Sequence, residues 1–490
     1  MSRKKPAPAD VNLPLKLRLG LTEMANGERL AAQHGSRIRF CYPQRAWYHW
    51  TDTRWAEDTV GQVEAYARET VAAIFSEAAA AEGDTERLEI GRHAVASQQA
   101  KAIRAMMELA RSQVGIPILP EAFDRDPLLF NHSGGTLELS SGNNRRHAPA
   151  DLITRQSPVM YDPYTEPTDF LRFLDEIFAG DAELIGYIQR LCGYCLTADV
   201  SEQSVYFFYG AGANGKSTLL NVLLRVMGDY AAQVSTDVIM TRKNDAHPEA
   251  LAQLWGRRLA VVQEIESGRH LAESQVKAIS GGDMIRARFM HRDSFQFRPS
   301  HKLILATNHR PVIRGTDLAI WRRVHLIPFN VTIPEERRDP RLLEKLLVEE
   351  GPILGWMAQG ALAWREQGLK PPACVVKATR DYRAEMDLVG AFLAEETEAD
   401  PKKPYIRVRG GQLYGAYKAW CKGAGEEPVT QSAFGLTLAE RGFPAEKVGS
   451  YVYRKGLRLL AEGEKTAPEE PESLPDQDTL EKCLDPLTLQ

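Results

Sequence analysis

The sequence predicts a multidomain α/β protein with a parallel β-sheet, buried on both faces, at its centre. Three observations carry that prediction. The chain is 490 residues long, more than one hydrophobic core organises, so about three domains are expected. From residue 204 to 330 it alternates strand and helix signals, the pattern that builds parallel sheets. Its strand candidates "SVYFFY", "RLAVVQE" and "HKLILATN" are continuous apolar runs, not the polar–apolar alternation of a sheet with one wet face. Gly and Pro bound the latter two, in "GRRLAVVQEIESG" and "FRPSHKLILATNHRP", which favours strands over helices.

The remaining elements follow in chain order. Residues 1–15, opening "MSRKKPAPAD", read as a short, basic, disordered tail with no apolar leader segment behind it. Up to residue 110 the chain is helical at both ends, in "TEMANGERLAAQHG" and "AVASQQAKAIRAMMELARS". Between them "RIRFCYPQRAWYHWTDTRWAED" reads as short strands joined by turns. Its Trp47, Tyr48, Trp50 and Trp55 are expected to form the core of a small sheet in preference to a surface that stacks bases. "PLLFNHSGGTLELSSG", residues 127–142, carries strand and turn signals, and after Pro158 the chain turns helical. Beyond the central sheet a helix ends near "LAWREQG", and residues 386–458 mix short helices with a hairpin, "VGSYVYRKGLRLL".

Composition excludes several classes. The chain has 43% hydrophobic and 26% charged residues, ordinary for a globular protein, and no run of about 18 apolar residues that would span a membrane. A cytoplasmic protein is expected. The six cysteines are scattered. The close pair, Cys192 and Cys195 in "LCGYC", lacks the second pair that a zinc site needs and reads as helix packing. The net charge of −4 conceals an asymmetry, because residues 461–490 hold nine acids and two lysines and leave +3 on the other 460 residues. That acidic tail is expected to be disordered, and the folded part retains the charge to meet a nucleic acid.

The chemistry is most legible at "GAGANGKST". Gly210 to Ser217 satisfies the phosphate-binding pattern G-x-x-x-x-G-K-[ST] between a strand and a helix. Gly210, Gly212, Asn214 and Gly215 shape a loop whose N–H groups converge on phosphate oxygens, at the positive end of the helix "KSTLLNVLLRVM". Lys216 is expected at the β- and γ-phosphates, Ser217 on Mg2+, and Thr218 in the same first turn. The loop therefore predicts a bound nucleotide, and ATP with Mg2+ is the expected ligand. Glu264, at the end of "RLAVVQE", is the candidate acid for the metal and the attacking water, with Glu266 able to share its face. Asn308, at the end of "ILATN", is placed to orient that water. Arg322 and Arg323 in "IWRRVHLIPF" read as fingers that complete the site of a neighbouring subunit.

In this order, "GAGANGKSTLL", "RLAVVQE", "ISGGDMIRAR", "ATNHRPVIRGTD" and "WRRVHLIPF" resemble superfamily 3 helicases, and among them the poxvirus and phage/plasmid primase–helicase group. Upstream, "WYHWTDTRWAED", "LLFNHSGGTLEL" and the helical stretch from "VMYDPYTEP" are similar to that group's helicase-associated region. Downstream, "LYGAYKAWCKGAGEEPVTQSAFGLTLAERGF" and "YVYRKGLRL" resemble its winged helix. The resemblance implies a helicase-associated domain over 16–155, a helical collar over 156–200, an AAA+-like P-loop NTPase core over 201–370 and a winged helix over 380–460. It also implies a hexameric ring with ATP sites between subunits, moving 3′→5′ along DNA in the replication of a phage, prophage or mobile element. The hairpin "GGDMIRARFMHRDSFQFRP" would then grip DNA through Arg286, Arg288, His291 and Arg292, with Lys277 just upstream and Arg454 and Lys455 on the wing.

Two departures are visible. Gln263 stands where these helicases commonly carry the first of two acids, which leaves the roles of Glu264 and Glu266 open. No primase domain is expected ahead of the helicase region; Asp124 and Asp126 in "FDRDP" lack a third acid or a histidine and read as a loop cluster, so a separate primase or polymerase is the expected partner.

Overall fold

The computed structural model describes residues 20–241, 248–263, 269–290, 293–313, 318–424 and 426–461. They fall into two compact units, one of Met1–Pro311 with Arg323–Val376 and one of Val312–Arg322 with Lys377–Gln490. The fold is mixed α/β, with sixteen α-helices and six sheets among the described residues. None of those helices is long and apolar enough to cross a membrane.

The first unit opens with four helices, Glu23–His34, Gln62–Ala80, Asp84–Ser97 and Ala100–Ala110, beside a four-stranded sheet. Its aromatic stretch is core, as its pattern implies. Trp47, Tyr48, Trp50 and Trp55 are all buried, and the Trp55 indole donates to the Pro149 carbonyl at 2.9 Å. The acids of "FDRDP" act locally: Asp124 accepts from the backbone and hydroxyl of Thr154, and Asp126 from the backbone of Leu128.

At the centre of this unit is a five-stranded sheet with every pairing parallel. Across it the strands run Val324–Pro328, Val205–Tyr209, Lys302–Thr307, Leu259–Gln263 and Ala231–Gln233. The three continuous apolar runs are its three inner strands, and every residue of Lys302–Thr307 is buried. Phe208 and Ile304 of this sheet share one apolar core with Phe130 and Leu137 from the small meander 129–145 and with Phe170, Phe173, Leu184 and Leu191 from helices Thr168–Ile177 and Ala182–Leu196. Cys192 and Cys195 lie inside that core as free thiols, and burial raises both pKa values. Among the described residues no cluster of His, Cys, Asp and Glu could hold a metal.

Helix Ala182–Leu196 runs along helix Glu350–Gln367 so closely that Gly193 and Gly360 carry the contact. A Cβ on Gly193 would collide with the backbone of Ala361, and one on Gly360 with the carbonyl of Gln189. At the starting edge of the sheet two buried cations hold the chain that leads into Val205–Tyr209. Lys302 donates to the carbonyls of Thr197 and Asp199 and stands 4.6 Å from the Tyr194 ring. Arg258 donates to the carbonyls of Leu196 and Leu129 and covers Tyr230 at 4.5 Å. Carbonyl dipoles and ring faces replace the carboxylates such charges commonly pair with.

Two predictions follow from this packing. Gly193→Ala forces backbone apart and lowers the thermal midpoint by the equivalent of about 1–3 kcal/mol, whereas Gly91→Ala, whose Cβ meets nothing within 4 Å, leaves it unchanged or raises it. Burial pulls the Lys302 ammonium down to about 7, so between that pH and its ordinary range the unfolded chain binds more protons than the folded one. Stability therefore rises with pH from 7 to 8.5 in the wild type relative to Lys302→Met, by up to about 2 kcal/mol in denaturation curves.

Candidate functional site

Strand Val205–Tyr209 has one neighbour that follows it late in the chain on each side, Lys302–Thr307 and Val324–Pro328. A crevice therefore opens beyond its carboxyl end, the position where open parallel sheets receive ligands. The loop 210–215 fills that edge. Gly212, Ala213 and Gly215 have φ of 106°, 49° and 80°, and the left-handed Gly215 turns the chain directly into helix Lys216–Met227. A Cβ on Gly215 would press within 3.0 Å of Phe173, and one on Gly210 into the Phe329 carbonyl. The loop is thus packed beneath, while Ala211, Ala213 and Ser217 are exposed above. No side chain caps the helix start, so its positive end lies at the loop without a side-chain acceptor.

Lys216 is buried, with a relative exposure of 5%. Its ammonium donates to the Gly210 carbonyl at 2.8 Å, to Asn214 Oδ1 at 2.9 Å and to Asn308 Oδ1 at 3.0 Å. Burial favours the neutral amine and pulls its pKa to about 8, while the three oxygens hold the charged form in place. Asn214 in turn donates to the Phe329 carbonyl at 3.3 Å. The sequence-predicted Gly210, Gly212, Asn214, Gly215, Lys216, Ser217, Thr218 and Asn308 therefore meet at one edge. Asn308 reaches it because Lys302–Thr307 lies beside Val205–Tyr209, with Thr307 opposite Tyr209. The Thr307 hydroxyl accepts from the His309 N–H at 3.0 Å and fixes the turn around Asn308.

Gln263 ends the next strand, and its buried Nε2 has no hydrogen-bond partner among the described residues. Glu264 and Glu266 lie outside the described residues, as do His291 and Arg292 of the hairpin. Sequence reasoning passed over Arg310, whose guanidinium stacks 4.4 Å from the ring of Tyr209 at the end of the loop-bearing strand. The signal was a cation two residues after Asn308 in "ATNHRP".

Arg322 and Arg323 occupy different environments. The Arg323 carbonyl accepts from the Val205 N–H at 2.8 Å, which places it at the starting edge of the sheet. A five-residue strand of about 16 Å separates that edge from the loop. Its side chain is buried, and Gly281 lies beside it. Arg322 is exposed.

The basic hairpin is present as Ile285–Arg288 paired antiparallel with Ser294–Phe297. Ile285 and Ala287 turn inward, while Arg286 and Arg288 are exposed. Arg286 donates to the Ser294 hydroxyl at 3.2 Å, and Arg288 stands 3.8 Å from Glu249. Lys277 is half-buried on helix Glu273–Ser280. An aromatic stack of Phe289 on Phe295 at 5.1 Å, with Trp255 edge-on to Phe295 at 5.6 Å, packs at the turn end of the hairpin.

In the second unit, helices Leu388–Glu396, Gly410–Ala424 and Gln431–Glu440 pack with a three-stranded sheet of Arg407–Arg409, Tyr451–Lys455 and Ala445–Val448. Neither predicted wing cation is free. Arg454 is half-buried against Gly435 and donates to the Phe443 carbonyl at 3.1 Å, and Lys455 pairs with Glu446 at 2.9 Å. Arg454→Ala should therefore cost the unit about 1–3 kcal/mol in chemical denaturation, and Lys455→Ala, which breaks one surface ion pair, about 1 kcal/mol or less.

Residues 27–179 match the D5 N terminal like family, and residues 208–323 match a family of unknown function, DUF5906. Three curated relatives are similar to this chain. "Putative helicase L207/L206" of Acanthamoeba polyphaga mimivirus is 27% identical over 324 residues, covering 61% of this chain and 33% of that protein. "Putative helicase 022R" of Frog virus 3 is 23% identical over 387 residues, covering 62% and 40%. "Putative primase C962R" of African swine fever virus is 20% identical over 327 residues, covering 61% and 34%. The chain thus spans well under half the length of the curated relatives it matches. Among solved structures, the apo C-terminal region of NrS-1 aligns over 89% of this chain and 99% of that one at 10% identity, with a TM-score of 0.46, a likeness too loose to carry a fold assignment.

Proposed function

We propose, from the D5 N terminal like match and the relatives named putative helicase and primase, that the chain is a member of the superfamily 3 primase–helicase group and an ATP-dependent DNA helicase. It acts in the replication of a phage, prophage or mobile element, as a hexameric ring that moves 3′→5′. The observation that carries this reading is the meeting of Lys216 with Gly210, Asn214 and Asn308 at the carboxyl edge of the central sheet. In the sheet order the strand that leads into Asn308 separates the loop-bearing strand from the one ending in Gln263, which fits an AAA+-like core. The second unit's helices and wing fit a winged helix.

The donor set suits ATP with Mg2+. The loop N–H groups and Lys216 would hold the phosphates, Ser217 and Glu264 the metal, and the bound pair supplies the phosphoanhydride whose hydrolysis drives movement. Asn308 exchanges its bond to Lys216 for one to the attacking water or γ-phosphate. Arg323 stands at the opposite edge of the sheet from its own loop, which suits service of this pair to a neighbour; of the two, exposed Arg322 is the one we assign as the finger. Lys277, Arg286 and Arg288, and with them His291 and Arg292 as the resemblance implies, would meet the strand in the ring channel, in the cytoplasm of the host and beside a separate primase or polymerase. Gln263, in place of an acid, favours one second reading: an ATP-switched origin-recognition or loading protein that does not unwind.

Strand displacement on a forked duplex tests the choice. The wild type separates the strands with ATP and Lys216→Ala does not; a wild type that hydrolyses ATP and binds DNA yet displaces nothing overturns the helicase reading in favour of the loader. The Lys216 pKa gives a second test. Phosphate stabilises the ammonium, so nucleotide binding takes up a proton above pH 8 and affinity falls as pH rises from 8 to 9.5. Calorimetric titration should find that fall in the wild type and a flat profile in Lys216→Arg.

A further inference from the structure

We propose that the outer face of the second unit's three-stranded sheet binds single-stranded nucleic acid through Arg407, Arg409, Tyr451 and Tyr453. The register sets the face. Arg407 stands opposite Lys455, Arg409 opposite Tyr453, and Tyr451 opposite Val448, and residues opposite one another in an antiparallel pair share a face. Alternation then sends Val408 and Arg454 to the other side, where Val408 is buried and Arg454 is held by the Phe443 carbonyl. The wing's inward cation is structural, and its outward cations are the ones available.

Those outward groups form a ladder of guanidinium and phenol. Arg409 lies 4.1 Å from the centre of the Tyr451 ring and donates through Nε to the Tyr453 hydroxyl at 3.2 Å. Arg407 lies 5.1 Å from the Tyr453 ring. Both arginines are exposed, and Tyr451 is 53% exposed. Glu446, the acid on this face, is engaged by Lys455. Among the described residues neither Arg407 nor Arg409 has a carboxylate partner, so two cations project with aromatic neighbours alone.

Charge and ring surface together select the occupant. Guanidinium edges meet phosphates, and guanidinium planes and phenol rings stack on bases. A duplex keeps its bases stacked on each other and offers the rings nothing. A carboxylate-rich peptide, such as this chain's own 462–490 segment, would answer the charges and leave the rings unused. The proposal rests on the helicase reading only for the source of the strand, since the binding needs no nucleotide.

Fluorescence anisotropy of the full chain with labelled oligothymidylate, without ATP, tests it. Arg409→Ser and Tyr451→Ser each weaken binding about 5- to 150-fold, the range of one stacked base, while Tyr451→Phe binds as the wild type and all three variants keep the wild-type unfolding midpoint. Wild-type affinity in both serine variants overturns the proposal. So does a duplex that binds as tightly as the single strand with Tyr451→Ser without effect. A loss in Arg409→Ser that appears only after truncation at Ala461 would assign the face to the tail and also overturn it. Oligothymidylate binding through this face in a chain that hydrolyses no ATP would sink the helicase reading and leave this one standing.

Discussion

The placement of strand Lys302–Thr307 between Val205–Tyr209 and Leu259–Gln263 constrains most of what surrounds the candidate site. Covered on both sides and both faces, the strand buries all six of its residues, including a lysine at its start. At its far end it delivers Asn308 to the Lys216 ammonium. The same insertion spaces the end of the loop-bearing strand from Gln263.

The two edges of the sheet divide the labour. The carboxyl edge holds a packed glycine loop, an uncapped helix start and one buried cation whose three partners are neutral oxygens, an arrangement that accepts negative charge without rearranging the backbone. The starting edge holds Lys302, Arg258 and Arg323 in carbonyl and aromatic surroundings. A full strand separates that edge from the same chain's loop.

Much of this was legible in the sequence, for physical reasons. Continuous apolar runs revealed the inner strands because both of their faces are dry, and the glycine loop was readable because its left-handed turns and close packing admit few other residues at those positions. The aromatic stretch around Trp47 was correctly read as core. Strand order was not legible, since pairing between strands about a hundred residues apart leaves no local trace. Nor was the three-residue strand Ala231–Gln233, whose "AAQ" carries no apolar signal. Lys302 and Arg258 looked like strand boundaries because the carbonyls that hold them come from distant segments. In the second unit's three-stranded sheet, residue type alone favoured Arg454, and only the register separates it from Arg407 and Arg409.

The central claim is that hydrolysis at the Lys216 loop needs a cation from a neighbouring copy. The most direct test is the ATPase rate of Lys216→Ala and Arg322→Ala, each alone and then mixed. A shared site predicts that both are inactive alone and that activity returns on mixing, because mixed assemblies pair an intact loop with an intact arginine. Arg322→Ala as active as the wild type, or two inactive variants that stay inactive when mixed into verified joint assemblies, would contradict it.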